Sequence, residues 1–131
     1  MTQIYLSIVD NGGIYKHWSL FIDGHSKIIL QAKGSDGRFR YEPERIDPRG
    51  LSGLIELVPL FEVDEGAKVD IVKALACQVR VRSDVHGWNC QDWVLGCLDK
   101  LEEKGVVDGE DMEYKERKKY VMGKVEGLVE V

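Results

Sequence analysis

WNCQDWVLGCLDKLEEKG, residues 88–105, is the most strongly patterned stretch of this 131-residue chain. Within it Cys90, Trp93, Val94, Cys97, Leu98 and Leu101 recur at i, i+3, i+4, i+7, i+8 and i+11, the apolar stripe of an amphipathic helix. Asn89 has the chemistry of an N-cap, Gly105 that of a residue just past a helix end, and Lys100 and Lys104 suit the last turns. The spacing therefore predicts a helix over 89–104 with its apolar face toward a sheet. That helix opens on a cysteine. First-turn N–H groups lack intrahelical partners, and the helix dipole favours negative charge there. Such positions lower a thiol pKa from about 8.5 into the range of about 3.5–7.5. Cysteine is also a common packing residue. The pattern leaves both roles open for Cys90, while Cys97, deeper in the helix, and Cys77 read as packing.

The chain before this helix reads first as strands. Residues 3–9 (QIYLSIV) alternate and end at Asp10-Asn11-Gly12-Gly13, a turn signal. Residues 14–22 (IYKHWSLFI) set Ile14, Trp18, Leu20 and Ile22 on one side of a pleat and Tyr15, His17, Ser19 and Phe21 on the other. A second turn precedes a short strand at 27–32, completing an antiparallel meander. Residues 34–52 form a long loop, a length that is often functional, and a fourth strand falls within 53–62, where Pro59 points to a sheet edge or an irregular strand end. A short helix is expected over 65–76, with apolar Ala67, Val69, Ile71, Val72, Leu75 and Ala76, and an extended segment over 78–82. A last helix within 111–129 would use Val121, Met122, Val125, Leu128 and Val129 on its apolar side. Strands first and helices afterwards predict an α+β fold in one domain, 1–131.

Composition narrows the function classes. A net charge of −5 and a pI near 5.2 argue against a nucleic-acid partner, which calls for a basic face. The basic run at 115–119 is broken by Glu116 and reads as a solvated helix face. Three cysteines cannot all pair, and the first residues lack the pattern of a secretory signal. No stretch approaches the roughly 18 apolar residues of a membrane span. The expectation is a reduced, cytoplasmic protein without a membrane partner. Neither cysteines nor histidines show paired metal-ligand spacing, so no metal or other cofactor is expected.

A thiol nucleophile needs a base within hydrogen-bond reach. His86 precedes Cys90 by four residues in a loop, and His25 sits in a hairpin turn. Both read as solvated. His17 lies in a strand interior, which makes it the better candidate for a base.

The pairing of His17-Trp18 (HWSLFI) on an early strand with Asn89-Cys90 (NCQDWV) opening a later helix resembles the circularly permuted NlpC-like papain fold. That group includes lecithin:retinol acyltransferase-like enzymes and PPPDE-type desumoylating isopeptidases. The chain also resembles small uncharacterised fungal proteins of this kind. The resemblance implies a papain-like antiparallel sheet packed against a nucleophile-bearing helix. It implies Cys90 as nucleophile, His17 as general base, and the Cys90 backbone N–H as oxyanion donor. It implies thiol-dependent acyl transfer on a small-molecule or peptide substrate, either hydrolysis of an amide, thioester or ester or transfer to an amine.

Acyltransferases of the group carry a second histidine on the next strand, and the positional match here is Gln31. A three-residue turn pairing Ile22 with Ser26 would set Gln31 opposite His17. A two-residue turn would set it opposite Trp18, on the other face, because a one-residue slip reverses side-chain direction. Asn89 and Gln91 are candidate oxyanion or substrate-binding groups, although a cap and an exposed helix residue explain them equally well. Trp18 and Trp88 are candidate cleft residues. Since a scaffold does not fix function, a non-catalytic binding or regulatory module is the alternative from another class. A tailoring enzyme of small-molecule biosynthesis using the same cleft is a third. Oligomeric state is left open by the sequence.

Overall fold

The computed structural model describes residues 1–126. Strands β1 (Thr2–Val9), β2 (His17–Asp23) and β3 (Lys27–Leu30) form the meander that alternation predicts. Within 34–52 the chain makes more structure than a plain loop. Strand β4 (Ala32–Lys33) pairs with β5 (Arg40–Tyr41), and a 3₁₀ turn follows at Pro48–Gly50. Strand β6 (Leu54–Val63) then returns to the free edge of β1, giving an all-antiparallel four-stranded sheet of order β3-β2-β1-β6. Helices α1 (Ala67–Gln78), α2 (Cys90–Glu103) and α3 (Met112–Met122) complete an α+β fold.

Two-residue periodicity decides which face is buried. Ile4, Leu6 and Ile8 lie directly opposite Ile22, Leu20 and Trp18, and all six are buried. Helix α2 packs on β2 and lays Trp93, Val94, Cys97, Leu98 and Leu101 onto that face. Full burial of such side chains stabilises by roughly 1.5–3 kcal/mol each. Helix α3 packs on β6, with Tyr114 edge-on to Phe61. The other sheet face is covered too. Phe21 stacks on Tyr5, and the Arg49 guanidinium, paired with Asp23 and Asp47, lies 5.2 Å from the Phe21 ring centre. That arrangement is a cation–π contact on a hydrophobic ring.

Several expectations are corrected. Strand β2 begins at His17 rather than at residue 14, and Ile14 is 83% exposed. The reason is local: Asp10 and Asn11 each accept a hydrogen bond from the backbone two residues on, and Gly12 has φ +83°, so the chain is still turning there. Of the segment 78–82, Gln78 belongs to α1; the backbone turns extended at Val79, and the segment pairs with no strand. In α1, Ile71 faces solvent while Val69, Val72 and Ala76 are buried, and Cys77 is exposed rather than packed. In α3 the buried residues are Tyr114 and Val121 and Met122 is exposed, while Val125, also exposed, lies beyond the end of the helix. Leu128 and Val129 lie outside the described residues. Pro59 does sit in an edge strand, one residue from a bulge that leaves Leu60 without a partner between the Ile4–Phe61 and Tyr5–Pro59 pairs.

Candidate active site

Helix α2 starts where the sequence places it because its cap is complete. Asn89 Oδ1 accepts from the Gln91 N–H at 2.9 Å, and the Asp92 carboxylate accepts from the Asn89 N–H at 2.9 Å. Together they form a capping box. The cap holds Cys90 against the start of β2. Its sulfur accepts from the Trp18 N–H at 3.5 Å, and its S–H donates to the Lys16 carbonyl at 3.8 Å. In an extended strand, the carbonyl of one residue and the N–H two residues on project to the same side. The thiol therefore sits at the strand edge, level with His17. His17, Tyr15 and Cys90 line one cleft of about 360 Å³, walled by Asn11, Ile14, Asp36 and Phe39.

His17 is held from the other side. Its Nε2 lies 2.6 Å from Gln31 Oε1, and Gln31 is 1% exposed. Gln31 Nε2 in turn donates to Glu44 Oε1 at 2.7 Å, and Lys33 Nζ donates to the same oxygen at 2.9 Å. The hairpin register is neither of the two considered. Asp23 pairs with Lys27 and Leu20 with Leu30, so the register carried one residue further puts Gln31 opposite Ser19. That is a slip of two residues from the pairing that opposes Gln31 to His17. A slip of two preserves the face. Gln31 consequently reaches His17 on the diagonal.

The protonation states follow from burial. Desolvation lowers the His17 pKa below its ordinary value, and the Gln31 hydrogen bond opposes this only in part. Burial pushes the Cys90 thiol up to about 11, although the N–H groups of Trp18, Cys90 and Gln91 pull the other way. The pattern at the helix start left open whether Cys90 rests as a thiolate; here desolvation outweighs the first-turn amides, and the resting pair is thiol and neutral imidazole. Tyr15 is raised by burial first and by the Cys90 charge second. Lys33, foremost among several partners, holds Glu44 below the usual carboxylate range.

The remaining candidates are placed elsewhere. Asn89 spends its carbonyl on the cap and its NH₂ on the Gly87 carbonyl. Gln91 is buried rather than exposed. It donates to the Lys16 carbonyl at 3.0 Å and accepts from the Glu126 N–H at 2.7 Å, tying α2 to β2 and to the C-terminal segment. Both amides are buried and bonded within the protein, and neither lines the cleft. The Trp18 ring is fully buried in the core, and only its backbone N–H meets the thiol. Trp88 packs edge-on against Phe39 but borders a different groove, between the end of α1 and α2. His86 bonds Asp36 at 2.7 Å on the surface, and His25 is exposed in its turn. The arginines of the segment 34–52, Arg38, Arg40 and Arg45, line no part of the cleft, and Arg40 pairs with Glu42. Among the described residues no group of three His, Cys, Asp or Glu side chains converges on a metal position. No described helix is long and apolar enough to cross a membrane.

Sequence reading missed Tyr15, Asp36 and Glu44. Tyr15 was recoverable from alternation, which sets it on the same side as His17. Glu44 carries no local signal.

No curated protein and no solved structure matches this chain. A match to a family of unknown function, DUF6540, runs over residues 4–108, from β1 through α2, and so contains every side chain of the Cys90–His17–Gln31 arrangement. The chain belongs to that family, DUF6540.

Proposed function

We propose that this chain is a cysteine-dependent acyl-transfer enzyme with a papain-like site, acting on a small-molecule or peptidic substrate. The observation that carries the reading is the seat of the Cys90 sulfur between the peptide groups flanking His17, with both side chains lining one cleft. A cleft of about 360 Å³ lies within the usual range for small ligands, about 300–1,000 Å³.

Because the resting pair is neutral, the proton leaves sulfur during attack. The Cys90 S–H turns from the Lys16 carbonyl to His17, the imidazole takes its proton, and the sulfur bonds to the acyl carbon. The carbonyl π-electrons move to oxygen. Of the first-turn N–H groups, that of Cys90 is not consumed by the Asn89 cap, and it supplies the oxyanion donor. As the tetrahedral adduct collapses, the bond to the amine, alcohol or thiol breaks. The leaving group takes its proton from the imidazolium. Water, or an acceptor amine, gives a proton back to His17 as it attacks the thioester, and the thiol is released as before. Turnover of a panel of amide, ester and thioester substrates tests this: wild type should turn over at least one, and Cys90→Ser and His17→Ala none.

A second reading has its own support. The thiol pushed up to about 11 and bonded to the Lys16 carbonyl is what a non-catalytic binding module on the same scaffold would tolerate. Binding of a ligand in the cleft that survives Cys90→Ser without any turnover in wild type would favour it.

A further inference from the structure

The bond between His17 and Gln31 has a direction, and a residue outside the cleft decides it. An amide can present either its oxygen or its NH₂ to an imidazole, and the two choices fix opposite ring tautomers. Gln31 is buried, and the far end of its amide meets the Glu44 carboxylate at 2.7 Å. An ionised carboxylate only accepts hydrogen bonds, so the NH₂ must face Glu44. The Lys33 ammonium on the same carboxylate oxygen keeps Glu44 ionised. The Gln31 oxygen is then turned toward His17, 2.6 Å from Nε2, and that nitrogen must carry the proton. Nδ1 is left with its lone pair, and it makes no hydrogen bond to the described residues.

We propose that Glu44 is a positioning residue which, through Gln31, holds His17 in the Nε2–H tautomer and so makes Nδ1 the proton-accepting nitrogen. This deepens the reading of His17 as the base and rests on it. Reversing the Gln31 amide would offer two donors to Nε2, put the ring proton on Nδ1 and leave no lone pair for the thiol proton. An amide alone has no reason to prefer one orientation; the carboxylate supplies it. The charge stays one bond removed from the ring. His17 therefore keeps a fixed tautomer without the imidazolium stabilisation that a directly bonded carboxylate would add.

The test is the ring ¹⁵N spectrum of His17 in the full chain without substrate, at about pH 8, above the ordinary histidine pKa. Wild type should show a single neutral tautomer, protonated at Nε2. Glu44→Ala removes the acceptor, and the ring signals should shift to a mixture of tautomers or to Nδ1–H. Glu44→Gln keeps a carbonyl that accepts from Gln31, and should restore much of the Nε2–H form. The backbone bridge between Glu44 and Ile29 involves no side chain, so all three proteins should fold alike. An Nδ1–H ring in wild type, or an unchanged Nε2–H ring in Glu44→Ala, would overturn the proposal. Because the spectrum requires no turnover, a correct tautomer in an inert protein sinks the enzyme reading. Turnover with an unmoved tautomer sinks the role of Glu44.

Discussion

Gln31 reaches His17 across the β2–β3 hairpin at 2.6 Å although the register sets it opposite Ser19. The contact is diagonal, and both partners lose water to make it. Removing the amide leaves the ring N–H and the Glu44 carboxylate each short of a partner. Gln31→Leu should destabilise the fold by about 1–3 kcal/mol, the cost of a stranded polar group. A shift in the urea midpoint reads it. No shift would mean the bond is absent in solution.

His17 is more buried than solvated, and its pKa is lowered mainly for that reason. The sign is definite. Below about 6.5, the ordinary histidine value, the unfolded chain binds a proton that the folded chain refuses. Stability therefore falls with falling pH through the window between that value and the lower folded one. Wild type should lose more stability from pH 7 to pH 5 than His17→Gln does. Equal losses would contradict the buried, neutral ring.

Asn89 offers a way to separate capping from catalysis. Asn89→Ala should cost about 0.5–2 kcal/mol, and Asn89→Ser or Asn89→Asp should restore most of it. Activity per folded molecule should follow the same order. Were the amide an oxyanion donor, Ser and Asp would leave a loss of about 10²–10³ in kcat.

The three thiols should alkylate in an order set by exposure and pKa. Cys77 is exposed on α1, Cys90 is pushed up to about 11, and Cys97 is buried and pushed up to about 12. Iodoacetamide should label Cys77 first, with the Cys90 rate still climbing above pH 9 and Cys97 slowest, as read by peptide mass spectrometry. Rapid labelling of Cys90 near pH 6 would reinstate a resting thiolate.

Part of this arrangement is legible in the sequence. The 3.6-residue stripe from Cys90 to Leu101 and the Asn89 cap are local properties, and they mark the start of α2 to the residue. The face shared by His17 and Gln31 was not legible in this way: it turns on the parity of the hairpin register, which the sequence leaves open and which the Leu20–Leu30 and Asp23–Lys27 pairs decide. The thiol's ionisation was not legible in the same way. Dipole and free amides are local to α2, but the desolvation that outweighs them comes from β2 and the loop over it. Asn89 and Gln91 read equally as site amides or as a cap and an exposed helix residue, because nothing nearby reveals that the Gly87 and Lys16 carbonyls and the Glu126 N–H bond them. Trp18 failed for a related reason: alternation put its ring in the core, and the group that meets Cys90 is its backbone. Glu44 was hidden because its partner Gln31 lies across an irregular turn, brought close by the Ile29–Glu44 bridge rather than by any periodic pattern.

The most direct test of the Cys90–His17 account is acylation of Cys90 by an activated thioester at neutral pH, read as the mass of the intact acyl-protein and mapped by peptide. The account expects a stoichiometric adduct on Cys90 that turns over in water, with formation lost in His17→Ala while Cys90 in that variant still alkylates at high pH. An adduct that forms equally well without His17, or none on Cys90 at all, would contradict it.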